Sequence, residues 1–298
     1  MTRRDGLLCT TRLGGSMWRV SRPWPAGLRP YVHSYAGYWE SGRPEPYSVR
    51  IVPNGRVALV LNLRETFAQV HRPQEAGVPH GGVVGSLVAG LEDGPRVLTH
   101  PGGQEAIRVE LTPVGAYRLF ALPLRELTNR VVELDDVFGR DTRLLVERLA
   151  TTADWGERFD LLDAALLARL AAGPEAAPEV SHAWRLLAGA GGALPVSSIA
   201  TEVGWSQGHL VRRFTQQIGL TPKAAARVLR FHRAVGRLAH EGADPGAVAV
   251  ACGFYDQAHL NREFRALSGT TPGQVAAARW AEGALARKAT PNLARAPR

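Results

Sequence analysis

The sequence predicts an α+β domain, a β-barrel or β-sandwich with helices after it, followed by an all-α domain in which one pair of short helices occurs twice around a longer linker helix. Three observations predict this. Apolar and polar residues alternate over the early part of the chain and change to helical spacing from about residue 115. The stretches Gly204–Pro222 and Gly253–Pro272 carry nearly the same pattern. The excess positive charge also lies wholly on the part that holds this duplication: residues 181–298 have 15 Lys+Arg and 6 Asp+Glu, whereas residues 1–180 have 21 of each.

From the N-terminus, "YSVRIVPNGRVALVLNL" alternates on either side of Asn54-Gly55, the dipeptide of a tight hairpin turn. "GGVVGSLVAGL" and "EAIRVELTP" supply further strands between Gly/Pro punctuation. "TRLLVERLA" and "WGERFDLLDAALLARLAAG" are amphipathic helices, and part of the second, "FDLLDAALLARL", fits either a dimerisation face or a cover for the sheet. Trp18, Trp24, Tyr31, Tyr35, Tyr38 and Trp39 could line an effector pocket, although such residues more often form core. The expected division is 1–172 for the α+β domain, 173–180 ("GPEAAPEV") for a linker, 181–280 for the helical domain and 281–298 for a Pro/Arg-rich disordered tail.

The duplication is a matter of spacing. Leu210, Phe214, Gly219, Thr221 and Pro222 recur fifty places on as Leu260, Phe264, Gly269, Thr271 and Pro272. Ile199, Ala200 and Gly204 recur forty-nine places on as Val248, Ala249 and Gly253, so the second copy carries one extra residue. In the first copy "VSSIATEVG" is a short helix with Pro195 before it and Ser197 or Ser198 as its cap. Gly204 permits the positive φ of a tight turn, Trp205 plugs the corner and Ser206 caps the next helix, about Gln207 to Ile218. That helix turns Leu210, Phe214 and Gln217 inward and Gly208, Arg212 and Thr215 outward, with Val211 on the flank. The second copy turns Leu260, Phe264 and Leu267 inward and Ala258, Arg262 and Arg265 outward, with Asn261 flanking and Gln257 in the first turn. Arg, Asn and Gln are the side chains that make bidentate contacts to guanine or adenine edges in the major groove. Two helices joined by a short glycine turn form a helix-turn-helix, whose second helix enters that groove.

Between the copies "PKAAARVLRFHRAVGRLAH" has no internal proline, and its 19 residues span about 28 Å as a helix. One turn of B-DNA is about 34 Å, so the spacer suits two recognition helices in successive major grooves. Lys223, Arg227, Arg230, Arg233 and Arg237 give it charge, and some of them are candidates for phosphate contacts, as is Arg265. His209 and His259, each just before the inward leucine, fit packing or capping at the helix start.

These residues, above all "ACGFYDQAHLNREFRALSGTTP", closely resemble the AraC/XylS family of bacterial transcription regulators over roughly residues 181–280. The resemblance implies a sequence-specific, double-stranded DNA-binding regulator. It places base reading at Gly208, Val211 and Arg212 in the first helix and at Gln257, Ala258, Asn261 and Arg262 in the second. Gly208 has no side chain and Val211 cannot donate a hydrogen bond, so most discrimination is expected from the second helix. By analogy with relatives, the first domain would be a cupin-like sensor. RNA polymerase, a small-molecule effector of unknown identity and a second copy of the chain stand as candidate partners.

Enzyme chemistry has little to stand on. His33, His71, His80 and His100 are isolated, no catalytic triad order or phosphate loop is evident, and no cofactor or metal is expected. Cys9 and Cys252 have no ligand spacing, there is no apolar run of membrane length and no signal-peptide core, and a cytoplasmic chain is expected. Two alternatives remain open at this level: a DNA-repair methyl acceptor, for which only Cys9 is available, and a non-specific architectural protein.

Overall fold

A computed structural model describes the chain except residues 1–2, 6–7, 15–16, 42–45, 65–67, 73–81, 140, 242, 278–279, 282–283 and 290–298. The N-terminal part is built from β1 (Arg3–Asp5), β2 (Leu8–Gly14), β3 (Met17–Ser21), β4 (Val32–Glu40), β5 (Tyr47–Ile51), β6 (Val57–Asn62), β7 (Ala68–His71), β8 (Gly82–Val84), β9 (Leu87–Ala89), β10 (Arg96–His100) and β11 (Glu105–Leu111). Helix α1 (Pro113–Phe120), strand β12 (Val131–Glu133) and helices α2 (Leu134–Phe138), α3 (Asp141–Thr151) and α4 (Trp155–Ala172) follow.

The strands form two open sheets, one in the order β1-β2-β3-β4-β11-β6-β9-β12, the other containing β5, β10, β7 and β8. The barrel expectation is therefore corrected: among the described residues neither sheet closes on itself. The hairpin expectation at Asn54-Gly55 fails with it. The turn is present, with Gly55 at φ +74° and Asn54 Oδ1 accepting from the Arg56 N–H at 3.0 Å. Its two arms nevertheless part, β5 pairing with β10 and β6 with β11 and β9. Val52 and Pro53 between them are buried, and proline has no N–H for a ladder, so the chain crosses from one sheet to the other at this point.

Alternation in β6 buries Val57, Leu59 and Leu61, and in β11 Ile107, Val109 and Leu111, against the helices behind them. Helix α4 covers the sheet with one face, burying Phe159, Leu162, Leu166 and Leu170, with Phe159 stacked on Tyr35 of β4. Of the aromatic group only Tyr35 is fully buried, stacked on Phe159 at 5.0 Å; the other five are half-buried, with Trp39 lying between Trp18 and Trp155. Arg22 and Tyr35 both bond Asp163 of α4, and burial pushes the Tyr35 phenol up to about 12.

Between Gly173 and Pro178 lies a short connection; helix α5 (Pro178–Gly189) begins inside the expected linker. Then come α6 (Val196–Glu202), α7 (Gln207–Ile218), α8 (Pro222–His240), α9 (Pro245–Ala251), α10 (Gln257–Ser268) and α11 (Pro272–Ala277). Disorder of the tail is also corrected in part. Short strands β13 (Trp280–Ala281) and β14 (Ala284–Ala289) extend the second sheet, β14 pairing antiparallel with β5; the rest of the tail lies outside the described residues.

Candidate nucleic-acid interface

Local chemistry builds the two units alike. Gly204 (φ +71°) and Gly253 (φ +76°) make the turns after α6 and α9. In both, the next aromatic closes the corner: the Trp205 N–H reaches the Ala200 carbonyl and the Phe254 N–H the Ala249 carbonyl, each at 2.9 Å. Ser206 Oγ then accepts from the His209 N–H, capping α7, and Asp256 Oδ1 accepts from the His259 N–H, capping α10. The two histidines pack edge-on against Trp205 and Phe254, as their place in the repeat suggested.

These pairings identify the extra residue of the second copy as Tyr255, which is 91% exposed at the entry to α10. The sequence reading passed over it. The mismatch in repeat spacing, forty-nine against fifty places, was the signal that could have found it.

The ends of the units are equally regular. Gly219 and Gly269, at φ +103° and +67°, turn the chain out of α7 and α10. Thr221 and Thr271 accept from the N–H groups of Ala224 and Gln274, and a proline opens the helix that follows. Neither Ser197 nor Ser198 caps α6, however. The helix starts at Val196 behind Pro195 and has no side-chain cap, so both serines lie within it.

The inward faces are as expected, with Leu210, Phe214, Leu260, Phe264 and Leu267 buried. Buried Gln217 is satisfied because its Oε1 accepts from the Ala177 N–H at 3.0 Å, which pins the interdomain connection to α7. On the outward faces Gly208, Val211, Arg212, Gln257, Ala258 and Arg262 are exposed, and Asn261 is half-buried. Arg212 Nη2 lies 3.4 Å from His209 Nδ1.

The phosphate candidates divide. Lys223 and Arg265 are exposed. Arg227 is instead bonded to Glu263 of α10, and Arg230 donates from Nη1 to the Gly192 carbonyl at 2.9 Å. Both guanidinium groups serve as ties inside the helical domain, because α8 lies between its neighbours and turns these positions toward them. Cys252 is buried, and burial pushes its thiol up. Cys9 is half-exposed on β2, facing a cavity of about 490 Å³ that Trp24 and Tyr35 also line. His33 is exposed, His100 is buried against Tyr47, and the side chains of His71 and His80 lie outside the described residues. Among the described residues no helix is long and apolar enough to cross a membrane.

Residues 199–278 match a family described as a helix-turn-helix domain, and residues 22–133 match one described as a domain of unknown function, DUF6597. Over 65 residues the chain is 35% identical to the HTH-type transcriptional regulator YbfI of Bacillus subtilis (strain 168). That match covers 22% of this chain and 23% of YbfI, about a quarter of the relative's length. Among solved structures, an AraC-type DNA-binding regulator from Chromobacterium violaceum is 29% identical, with 34% of this chain and 90% of that chain covered and a TM-score of 0.32. ToxT from Vibrio cholerae is 10% identical, with 91% and 98% covered and a TM-score of 0.44. Residues 199–278 are thus a helix-turn-helix domain, and the β-sheet part before them matches a separate family.

Proposed function

We propose that the chain is a sequence-specific transcription regulator that sets α7 and α10 into successive major grooves of one DNA duplex. One observation carries this reading: two helix-turn-helix units, each with a side-chain-capped second helix whose outward face is exposed, flank a 19-residue helix along the chain. At about 28 Å that helix falls slightly short of one duplex turn. Arg212 in the first unit and Gln257, Asn261 and Arg262 in the second are the base readers. Gly208, Val211 and Ala258 offer close approach and apolar contact to thymine methyl groups.

Lys223 and Arg265 hold phosphates and carry no sequence information. Tyr255, exposed beside the α10 N-terminus, is placed to add a contact to the sugar-phosphate backbone. A net +9 on residues 181–298 supplies the sequence-independent attraction. The N-terminal sheets modulate this binding, and the cavity beside Trp24 and Tyr35 is the candidate place for a small effector. RNA polymerase and a second copy of the chain are the partners such a regulator would engage.

Selection of bound duplexes from a random library tests the reading. Two clusters of preferred bases about 10 base pairs apart are expected. A single cluster, or equal affinity for selected and random DNA at physiological salt, would overturn it and leave the architectural alternative.

A further inference from the structure

We propose that Thr128 and Arg50 are positioning residues through which the N-terminal sheets set the separation of α7 and α10, and hence the half-site spacing accepted on DNA. The inference rests on the two-groove reading above. It starts from a repeated feature: Gly219 and Gly269 occupy the same place in the two copies, directly after the recognition helix, and the N-terminal domain holds both. Thr128 Oγ1 donates to the Gly219 carbonyl at 2.7 Å. The Thr128 oxygen also lies 3.3 Å from the Leu124 carbonyl, and with one proton to give, the hydroxyl favours the shorter bond. At the other unit Arg50 Nη1 donates to the carbonyls of Ser268 and Gly269, both at 3.3 Å. The last carbonyls of a helix lack partners within it and form the negative end of its dipole, so a hydroxyl and a guanidinium suit them.

The holds come from different sheets. Arg50 lies on β5, in the sheet with β10, whereas Thr128 lies three residues before β12, which pairs with β9 in the eight-stranded sheet. A displacement of one sheet against the other would therefore carry one recognition helix relative to its twin. Spacer α8 also carries α10, through Phe231, which meets Phe264 edge-on at 4.8 Å, and through Arg227, which bonds Glu263. Thr128 and Arg50 add a second hold, at the C-terminal end of each recognition helix.

The test uses the full chain and duplexes carrying the two selected half-sites at their selected separation, or with one or two base pairs added. Each added pair rotates one half-site by about a tenth of a turn. Wild type should prefer the selected spacing by about tenfold or more, the equivalent of about 1.4 kcal/mol. Arg50→Gln with Thr128→Val should reduce that ratio to about twofold, while Thr128→Ser, which keeps the hydroxyl, retains it. A double variant that binds every duplex more weakly but keeps the wild-type ratio overturns the assignment, since lost stability alone lowers all affinities together. Absence of any spacing preference in wild type would overturn the two-groove reading itself, and this inference with it.

Discussion

The two helix-turn-helix units share their turn glycines and their inward leucine and phenylalanine, yet they are embedded differently. In the first, α7 packs its Phe214 near Trp184 of α5, its Gln217 against the interdomain connection, and its C-terminal end against the turn at Leu124–Glu126. In the second, α10 packs on the spacer: Phe264 meets Phe231 edge-on at 4.8 Å, and Glu263 bonds Arg227. The first unit is therefore the one joined most closely to the β-sheet domain. The second exposes Gln257 and Arg262 on its outward face, where the first exposes Gly208, Val211 and Arg212. One copy of a duplicated motif is thus packed against the β-sheet domain and the other mainly against the spacer.

The largest expected effect that could break this comparison is at the paired glycines. At Gly219 the φ of +103° lies outside the region that L-residues tolerate, and a Cβ would stand 3.0 Å from Thr128 Oγ1 and 3.2 Å from the Leu124 carbonyl. Gly219→Ala should cost about 3 kcal/mol. Gly269 is in the left-handed helical region, with the nearest atom, on Arg50, at 3.4 Å, so Gly269→Ala should cost about 1 kcal/mol. Equal losses in urea unfolding would mean that the first unit is held no more tightly than the second.

The next effect concerns recognition. Arg262→Ala should cost about 2 kcal/mol of DNA affinity and relax preference at one base position, whereas Val211→Ala should change affinity by less than about 0.5 kcal/mol. A base-substitution binding series checks both, and a larger loss at Val211 would reverse the assigned roles of the two helices. Smaller again is Arg230→Ala. Because this guanidinium bonds the Gly192 carbonyl, the variant should lose about 1 kcal/mol of unfolding free energy with its specific-to-non-specific binding ratio intact. Unchanged stability with a shallower salt dependence would return Arg230 to the phosphate contacts. The smallest effect sharpens the picture of the spacer: Gly236→Ala should add about 0.5 kcal/mol of stability, read as a raised Tm, because the site has room for a methyl group.

Much of the candidate interface was legible because it is encoded over short distances. Ser206, Gly204 and Gly253 act on backbone groups within a few residues of themselves, and the bounds of α7 and α8 followed from the same signals. Legibility ended where a side chain had a choice of partners. A basic residue on a helix has the same local pattern whether it faces phosphate or a buried carbonyl, so Lys223 and Arg230 looked alike. The strand at Tyr47–Ile51 was visible as a strand, but alternation says nothing about which sheet a strand joins, so the Asn54-Gly55 turn suggested a hairpin that does not form.

By itself, then, the sequence determined the duplicated units, the cap of α7, their apolar stripes and the length between them, since helix geometry converts residue spacing directly into direction and distance. Tertiary structure alone decided that the sheets stay open, that Arg227 and Arg230 turn inward, and that both recognition helices are gripped at their ends. The physical reason is separation along the chain. Thr128 and Gly219 are 91 residues apart and Arg50 and Gly269 are 219 apart, so each contact exists only after independently folded elements have packed.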